Sequence, residues 1–596
     1  MPRLPGKACA RLVAHAAAVA CLLPAAANSE SDADRAFEIL GEKYLTDIPD
    51  FSPVAATQIG DHSADDRLDE VDARARDREA DLYVEYRKAL DAIEFDDLSR
   101  ANQVDARLLT HEIESGYWQL TELEEWAWNP LVYTNIAGNA VYALVARDFA
   151  PVDVRLRNAA ARLEQLPRFF AQSRAALSPA RVPRVHAETA VSQNSGLKSI
   201  IDLMIVPAMA ELLEEDRARL TAAIETANAA IDEQQAWLEN DLLPNAAGDF
   251  RIGAALYDRK LAFALNSPLG RREVQARAES EYQRVRNEMY TLAREVYARQ
   301  HPYTTFPDNP DEAFKQAIVR AALEQAYRRL PPADGIVEAA EAALEQASDF
   351  VVEHNIVEMP AEPVEIIVMP EFQRGVSVAY LDPPGPLDEG QSAFYAVAPL
   401  PSDWTPEQVE SFLREYNFYS IHDLTLHEGV PGHYLQLAHS NRYPSTLRAV
   451  LWSGPFVEGW AVYAERMMID EGYLGNDPLM RLVNLKWYLR SITNAIIDSA
   501  IHVDGMTEEQ AMKLMIEGGF QEEREAAGKW RRAQLTSAQL STYFVGYQEH
   551  AAMREAVERA WGDDFTLRRY HDTALSFGSP PVRFVRALIL DEPIPD

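Results

Sequence analysis

Cysteine is nearly absent from this chain of 596 residues: there are two, Cys9 and Cys21. Both fall within the first 21 residues, so neither a disulfide framework nor a CxxC redox pair nor a thiolate metal site can be built in the body of the chain. Basic residues are also short, 57 Lys+Arg against 93 Asp+Glu, which gives a formal charge of −36 and a pI near 4.8. A surface of that sign repels phosphate backbones and anionic lipid, so nucleic acid is excluded as a general partner. Beyond the N-terminus no uncharged apolar run reaches the length of a bilayer span, so no transmembrane segment is expected. The chain has no G-x-G-x-x-G, no P-loop and no G-x-S-x-G elbow, and strand–helix alternation of the Rossmann or barrel kind is missing.

Residues 1–27 have the make-up of a secretory leader. Arg3, Lys7 and Arg11 form the basic region, an apolar stretch follows, and Ala25-Ala26-Ala27 offers a small-residue cleavage site before polar Asn28. Cleavage there removes both cysteines and leaves an exported chain, periplasmic or secreted. Ala18-Val19-Ala20-Cys21 is a weak lipobox; with Ala three residues before the cysteine, lipid anchoring at Cys21 is the lesser alternative.

The remainder reads as mostly α. Arg155–Leu177, Leu212–Leu243, Arg271–Arg299, Glu312–Arg329 and Gly335–His354 are rich in Ala, Leu, Glu and Arg, with apolar residues at 3–4 spacing. Ser99 and Asp311 are helix-start signals. At about residue 356 the pattern changes. Val364–Val368, Val376–Tyr380 and Ala393–Val397 are short β-rich runs, from which a small antiparallel patch is expected; helical periodicity resumes at Thr405. The organisation predicted is a leader (1–27), an N-terminal helical region (28–355) and a β-patch with a catalytic helical region (356–596), the last two forming one continuous domain.

Four of the 13 histidines lie between residues 422 and 439. The core of this segment, His427-Glu428-Gly429-Val430-Pro431-Gly432-His433, is H-E-x4-H, whereas the helical zinc-peptidase motif is H-E-x-x-H, with both imidazoles on one face and the glutamate as general base. Six residues on a regular helix rotate a side chain by roughly 240°, so this pair cannot chelate from an unbroken helix. Pro431 and the two glycines provide the break, and a looped-out turn could bring His433 back over His427. Glu458 follows 25 residues after His433 and Glu465 lies on the same helical face; one could be the third ligand while the other orients a histidine from behind.

These residues carry a resemblance. H-E-G-V-P-G-H-Y-L-Q followed by V-E-G-W-A-V-Y-A-E resembles the bacterial metallopeptidase-like family known as domain of unknown function 885. That family is similar to the helical zinc peptidases of the thimet-oligopeptidase and carboxypeptidase Taq type, with two residues inserted before the second histidine. The resemblance covers roughly residues 35–590. It implies a helical fold around a deep channel, with His427, His433 and Glu458 as Zn2+ ligands, Glu428 as base, and Glu465 and Asp423 behind the ligands. Tyr543-x-x-Gly546-Tyr547 resembles the glycine–tyrosine loop of those peptidases, and Tyr543, Tyr547 and His571 are the candidate oxyanion donors. The function expected is hydrolysis of short peptides by metal-activated water; oligopeptidase, carboxypeptidase and aminopeptidase action remain open. An acidic channel would favour basic peptides. An edge of the β-patch, at Val376–Tyr380 or Ala393–Val397, could pair with an extended substrate. The alternatives are a periplasmic binding or structural protein with an inactive metal site, and a non-haem Fe(II) enzyme, since two histidines and a carboxylate also suit that metal.

Overall fold

The computed structural model describes residues 31–369, 379–401 and 404–596. The leader with Cys9 and Cys21, and the start of the expected strand at 376–378, lie outside the described residues. Among the described residues no helix is long and apolar enough to cross a membrane.

The protein is mostly α-helical. The helices that shape the site are labelled in chain order: α1 (Pro130–Val145), α2 (Val152–Ala176), α3 (Arg184–Asn194), α4 (Glu214–Trp237), α5 (Arg271–Gln300), α6 (Ile336–Glu353), α7 (Phe418–Glu428), α8 (His433–Ser440), α9 (Gly454–Asp470), α10 (Pro478–His502), α11 (Glu523–Leu535) and α12 (Thr542–Trp561). The sequence places α2, α5 and α6 within about three residues of their observed ends, because each has a clean apolar stripe and a strong stop. Ser99 and Asp311 cap helices as expected, accepting from the backbone N–H groups of Asn102 and Phe314.

Two large cores form. One lies among helices upstream of residue 245 and includes Leu163, Phe169, Ala227 and Leu238. The other gathers Tyr257, Val285 and Val351 together with Phe456, Trp460, Leu489 and Phe544. The packing boundary therefore lies near residue 250, upstream of the pattern change at 355. A third core joins Phe37, Tyr86 and Leu109 to Leu447 and Phe584, so the first helices close back on the C-terminal region. Buried Arg448 bonds to Asp105 across this junction, which leaves neither charge unpaired.

The sheet differs from the antiparallel patch predicted. Its strands are β1 (Val364–Val368), β2 (Ala379–Asp382) and β3 (Ala393–Val397), in the order β1-β3-β2. β3 is antiparallel to β2 but parallel to β1, so the sheet is mixed. The reason is burial. β3, Ala-Phe-Tyr-Ala-Val, is the most deeply buried strand and takes the centre, while β1 and β2 keep their polar residues at the edges. With both its edges paired, Ala393–Val397 has no edge left for a substrate.

α9 and α12 form the most intimate helix pair. They meet at Gly459 and Gly546, where a Cβ on Gly459 would stand 2.2 Å from the Gly546 carbonyl carbon, and a Cβ on Gly546 would stand 2.0 Å from the Pro455 oxygen. Only hydrogen fits at either position. Gly546→Ala should therefore force the helices apart at a cost of about 1–3 kcal/mol or more. The expected outcome is a lower melting temperature in calorimetry.

Candidate metal centre

α7 ends at Glu428, and α8 begins at His433. The four residues between them leave the helical path: Gly429 has φ −102° and ψ −106°, the Val430–Pro431 peptide is cis, and Gly432 has φ −75° and ψ −133°. The H-E-x4-H string is thus two helix ends joined by a tight turn, the looped-out form the sequence predicts. Gly432 seats directly on the end of α7. A Cβ there would stand 1.9 Å from the His427 oxygen and 2.4 Å from the Leu426 oxygen. The buried Trp460 indole donates to the Pro431 carbonyl at 2.8 Å and holds the turn from α9.

The result is convergence. The His427 and His433 ring centres are 4.6 Å apart with planes at 84°. Glu458, from α9, points a carboxylate oxygen at both, 3.7 Å from His427 Nε2 and 3.4 Å from His433 Nε2. One donor atom from each of the three residues lies within 4.8 Å of the others. Two imidazole nitrogens and one carboxylate oxygen are a donor set that suits Zn2+ and leaves a coordination position open. The buried histidines hold the Glu458 carboxyl far below the usual carboxylate range, so it is ionised, as a ligand must be.

Behind His427 stands the carboxylate expected from the seven-residue spacing. His427 Nδ1 lies 2.6 Å from Glu465 Oε1. A donor on Nδ1 fixes the tautomer and leaves Nε2 free to ligate. Asp423, one turn before His427, accepts from Asn484 Nδ2 at 3.0 Å. Burial beside Glu465 pushes the Asp423 carboxyl well above its ordinary value. Burial raises Glu465 as well, so the two neighbouring carboxyls share a site that disfavours two buried like charges.

Glu428 is buried beside the ligands, and its Oε2 accepts from the Leu381 N–H of β2 at 3.0 Å. Burial raises its pKa, against the pull of the two histidines. Tyr543 on α12 lies with its ring 6.4 Å from that of His427. Its hydroxyl accepts from Arg532 at 3.1 Å and from Gln539 at 3.3 Å, which leaves its own proton to donate.

The other two candidate donors stand elsewhere. His571 is fully buried with both nitrogens committed, Nε2 to the Tyr463 hydroxyl and Nδ1 to the Ile356 carbonyl, each at 2.8 Å. Burial pushes its pKa down to about 3, so it is a neutral packing residue. Tyr547 packs on Tyr488 at 4.6 Å and faces Arg466 and Glu281. The expected glycine–tyrosine loop is part of helix α12, because Gly546 serves the contact with Gly459 and introduces no turn.

Sequence reasoning missed Arg532, Gln539, Trp460, Asn484 and the Leu381 amide. Trp460 stands inside the V-E-G-W-A-V-Y-A-E string with nothing to mark its role in the turn, and Arg532 sits in a helix of ordinary charged composition. A cavity of about 940 Å3 opens among α1, α3, α11 and β2, lined among others by Asn135, Asn139, Gln193, Tyr380, Arg532 and Gln539. It adjoins the centre through Arg532 and Gln539, which hold Tyr543. Its lining contains no Asp or Glu among the described residues.

Comparison with known proteins gives the lineage. The model of a family of bacterial proteins of unknown function, DUF885, matches residues 53–589. The chain belongs to the DUF885 family. No curated protein matches it. A candidate lipoprotein of unknown function from Shewanella oneidensis is 34% identical, with 93% of this chain and 99% of that one covered and a TM-score of 0.77. A candidate lipoprotein from Colwellia psychrerythraea, 17% identical, shares the fold over 94% of this chain and 100% of its own, with a TM-score of 0.76.

Gly432→Ala tests the construction of the centre. The methyl group has no space against the His427 carbonyl, so His433 should be displaced and the variant incubated with Zn2+ should retain less of it than the unsubstituted protein. Circular dichroism should change little, since the helices on either side persist.

Proposed function

We propose that this DUF885 member is an exported zinc-dependent peptidase acting on short peptides. The observation that carries the reading is the convergence of His427, His433 and Glu458 with a buried glutamate, Glu428, immediately beside them. A binding protein or an iron oxygenase has no use for a carboxylate base at that position.

His427, His433 and Glu458 would hold Zn2+, which when bound supplies Lewis acidity toward a carbonyl oxygen and toward water. Glu428 takes a proton from the attacking water and returns it to the leaving amine nitrogen; its raised pKa suits both transfers. The Leu381 N–H aims the Glu428 carboxylate and keeps it from turning toward the ligands. Tyr543, with its oxygen held by Arg532 and Gln539, donates its proton to the developing oxyanion. Glu465 holds His427 in its ligating tautomer. The cavity volume is that of a small-ligand site, which favours short peptides over folded proteins.

Glu428→Gln is expected to abolish hydrolysis of a peptide library, read by mass spectrometry, while leaving bound zinc unchanged; full activity in that variant would remove the mechanism. Chelation of the native protein should stop cleavage, and added Zn2+ should restore it.

The description of both structural relatives as candidate lipoproteins supports export to the cell envelope and gives the Cys21 alternative weight. The N-terminus separates the two routes. Cleavage after Ala27 leaves a thiol-free chain starting at Asn28, and anchoring leaves an acylated Cys21. Mass spectrometry of the protein from its native host is expected to return one of these and no unprocessed Met1.

A further inference from the structure

In a protein with a large excess of carboxylates, the metal centre is bordered by two cations that have none. Arg532 bonds only to the Tyr543 hydroxyl and the Gln539 side-chain oxygen, both neutral. Lys529, one turn earlier on α11, is 95% buried by its 5% exposure and forms no hydrogen bond or ion pair with any described residue. Its charged neighbours are Arg490, Arg532, Glu525 and Glu458. Both carboxylates among them are engaged, Glu525 by Arg490 and the Tyr416 hydroxyl, Glu458 by the two histidines. A metal ion on Glu458 would add to the positive excess.

A buried lysine and a half-buried arginine without a paired carboxylate are costly, and an ordinary core would pair them or replace them. Elsewhere this protein does pair them: buried Lys486 meets Glu415 at 2.8 Å and buried Arg448 meets Asp105. The exception falls beside the candidate centre, next to a cavity whose lining carries Arg531 and Arg532 but no carboxylate. The same lining is rich in amides and hydroxyls, groups suited to a peptide backbone.

We propose that Arg532 and Lys529 bind the free C-terminal carboxylate of the substrate, so that the enzyme releases residues from the C-terminal end. The reach is short: Arg532 lies 3.1 Å from the Tyr543 hydroxyl, and the Tyr543 ring lies 6.4 Å from that of His427. One residue advances an extended chain by about 3.3–3.6 Å. A terminal carboxylate on Arg532 therefore lies within about one to three residues of a carbonyl at the centre. Arg532 would serve the carboxylate and Tyr543 together, coupling recognition of the chain end to the oxyanion donor. The assignment rests on the peptidase reading.

The test separates the two. In the full-length Glu428→Gln protein loaded with zinc, calorimetry compares N-acetyl-Ala-Ala as the free acid with its C-terminal amide. The acid should bind about tenfold tighter or better, the scale of charge-assisted hydrogen bonds. Lys529→Met and Arg532→Gln should each abolish most of that preference by weakening the acid and sparing the amide, and Arg532→Lys should retain part of it. Zinc content and circular dichroism confirm that each variant is folded and loaded. Equal binding of acid and amide, or variants that weaken both alike, would overturn the proposal. So would an acetylated Ala-Glu amide that binds as tightly as the free acid, since the site would then read an acidic side chain. With Glu428 restored, release of the C-terminal residue from the acid alone supports the assignment. Internal cleavage indifferent to the chain end removes it and leaves the peptidase reading intact. Selective acid binding without hydrolysis removes the peptidase reading and leaves the carboxylate site.

Discussion

Gly432 rests on the carbonyl oxygens that end α7, closer than any side chain would allow, and the metal centre depends on that contact. Six positions apart, His427 and His433 would diverge on a continuous helix. Terminating α7 at Glu428 and starting α8 at His433 frees the second imidazole from helical phase. The Trp460 indole then secures the turn against α9, the helix that provides Glu458 and Glu465. One aromatic side chain thus ties the loop between two ligands to the helix bearing the third.

A second close approach sets the other wall. Gly459 on α9 lies one residue beyond Glu458, and Gly546 on α12 lies three beyond Tyr543, so their backbone contact fixes the distance between the ligand helix and the tyrosine. Electrostatics completes the arrangement. The histidines hold the Glu458 carboxyl low, burial raises Glu428, and burial beside Glu465 raises Asp423. Neighbouring carboxyl groups are thereby driven in opposite directions, the arrangement that the proposed peptidase reading needs.

The legible parts of the molecule are those set by local patterning. α2, α5 and α6 carry continuous apolar stripes, β1 and β3 are bounded by turn residues, and the Glu458–Glu465 spacing fixes a shared helical face. Strand order was not legible, because it follows from the comparative burial of three short segments, which no single segment reveals. Tyr547 and His571 were misplaced for a related reason. Each is a polar aromatic residue near a motif, but the direction of its side chain is set by partners distant in sequence, Tyr488 for one and Tyr463 with Ile356 for the other.

The sequence alone marked His427, His433, Glu458 and Glu465 as a candidate donor set, through histidine and glutamate at these spacings with a proline and glycines between. It also determined that the body of the chain holds no thiol chemistry. Only the tertiary structure decided that the β3 edge is closed and that the cavity lining is free of carboxylates in an acidic protein. Only it left Lys529 and Arg532 beside the centre without counter-ions. Net charge is a sum over residues and says nothing of where each one points; the burial of a lysine that pairs with no carboxylate is a property of packing.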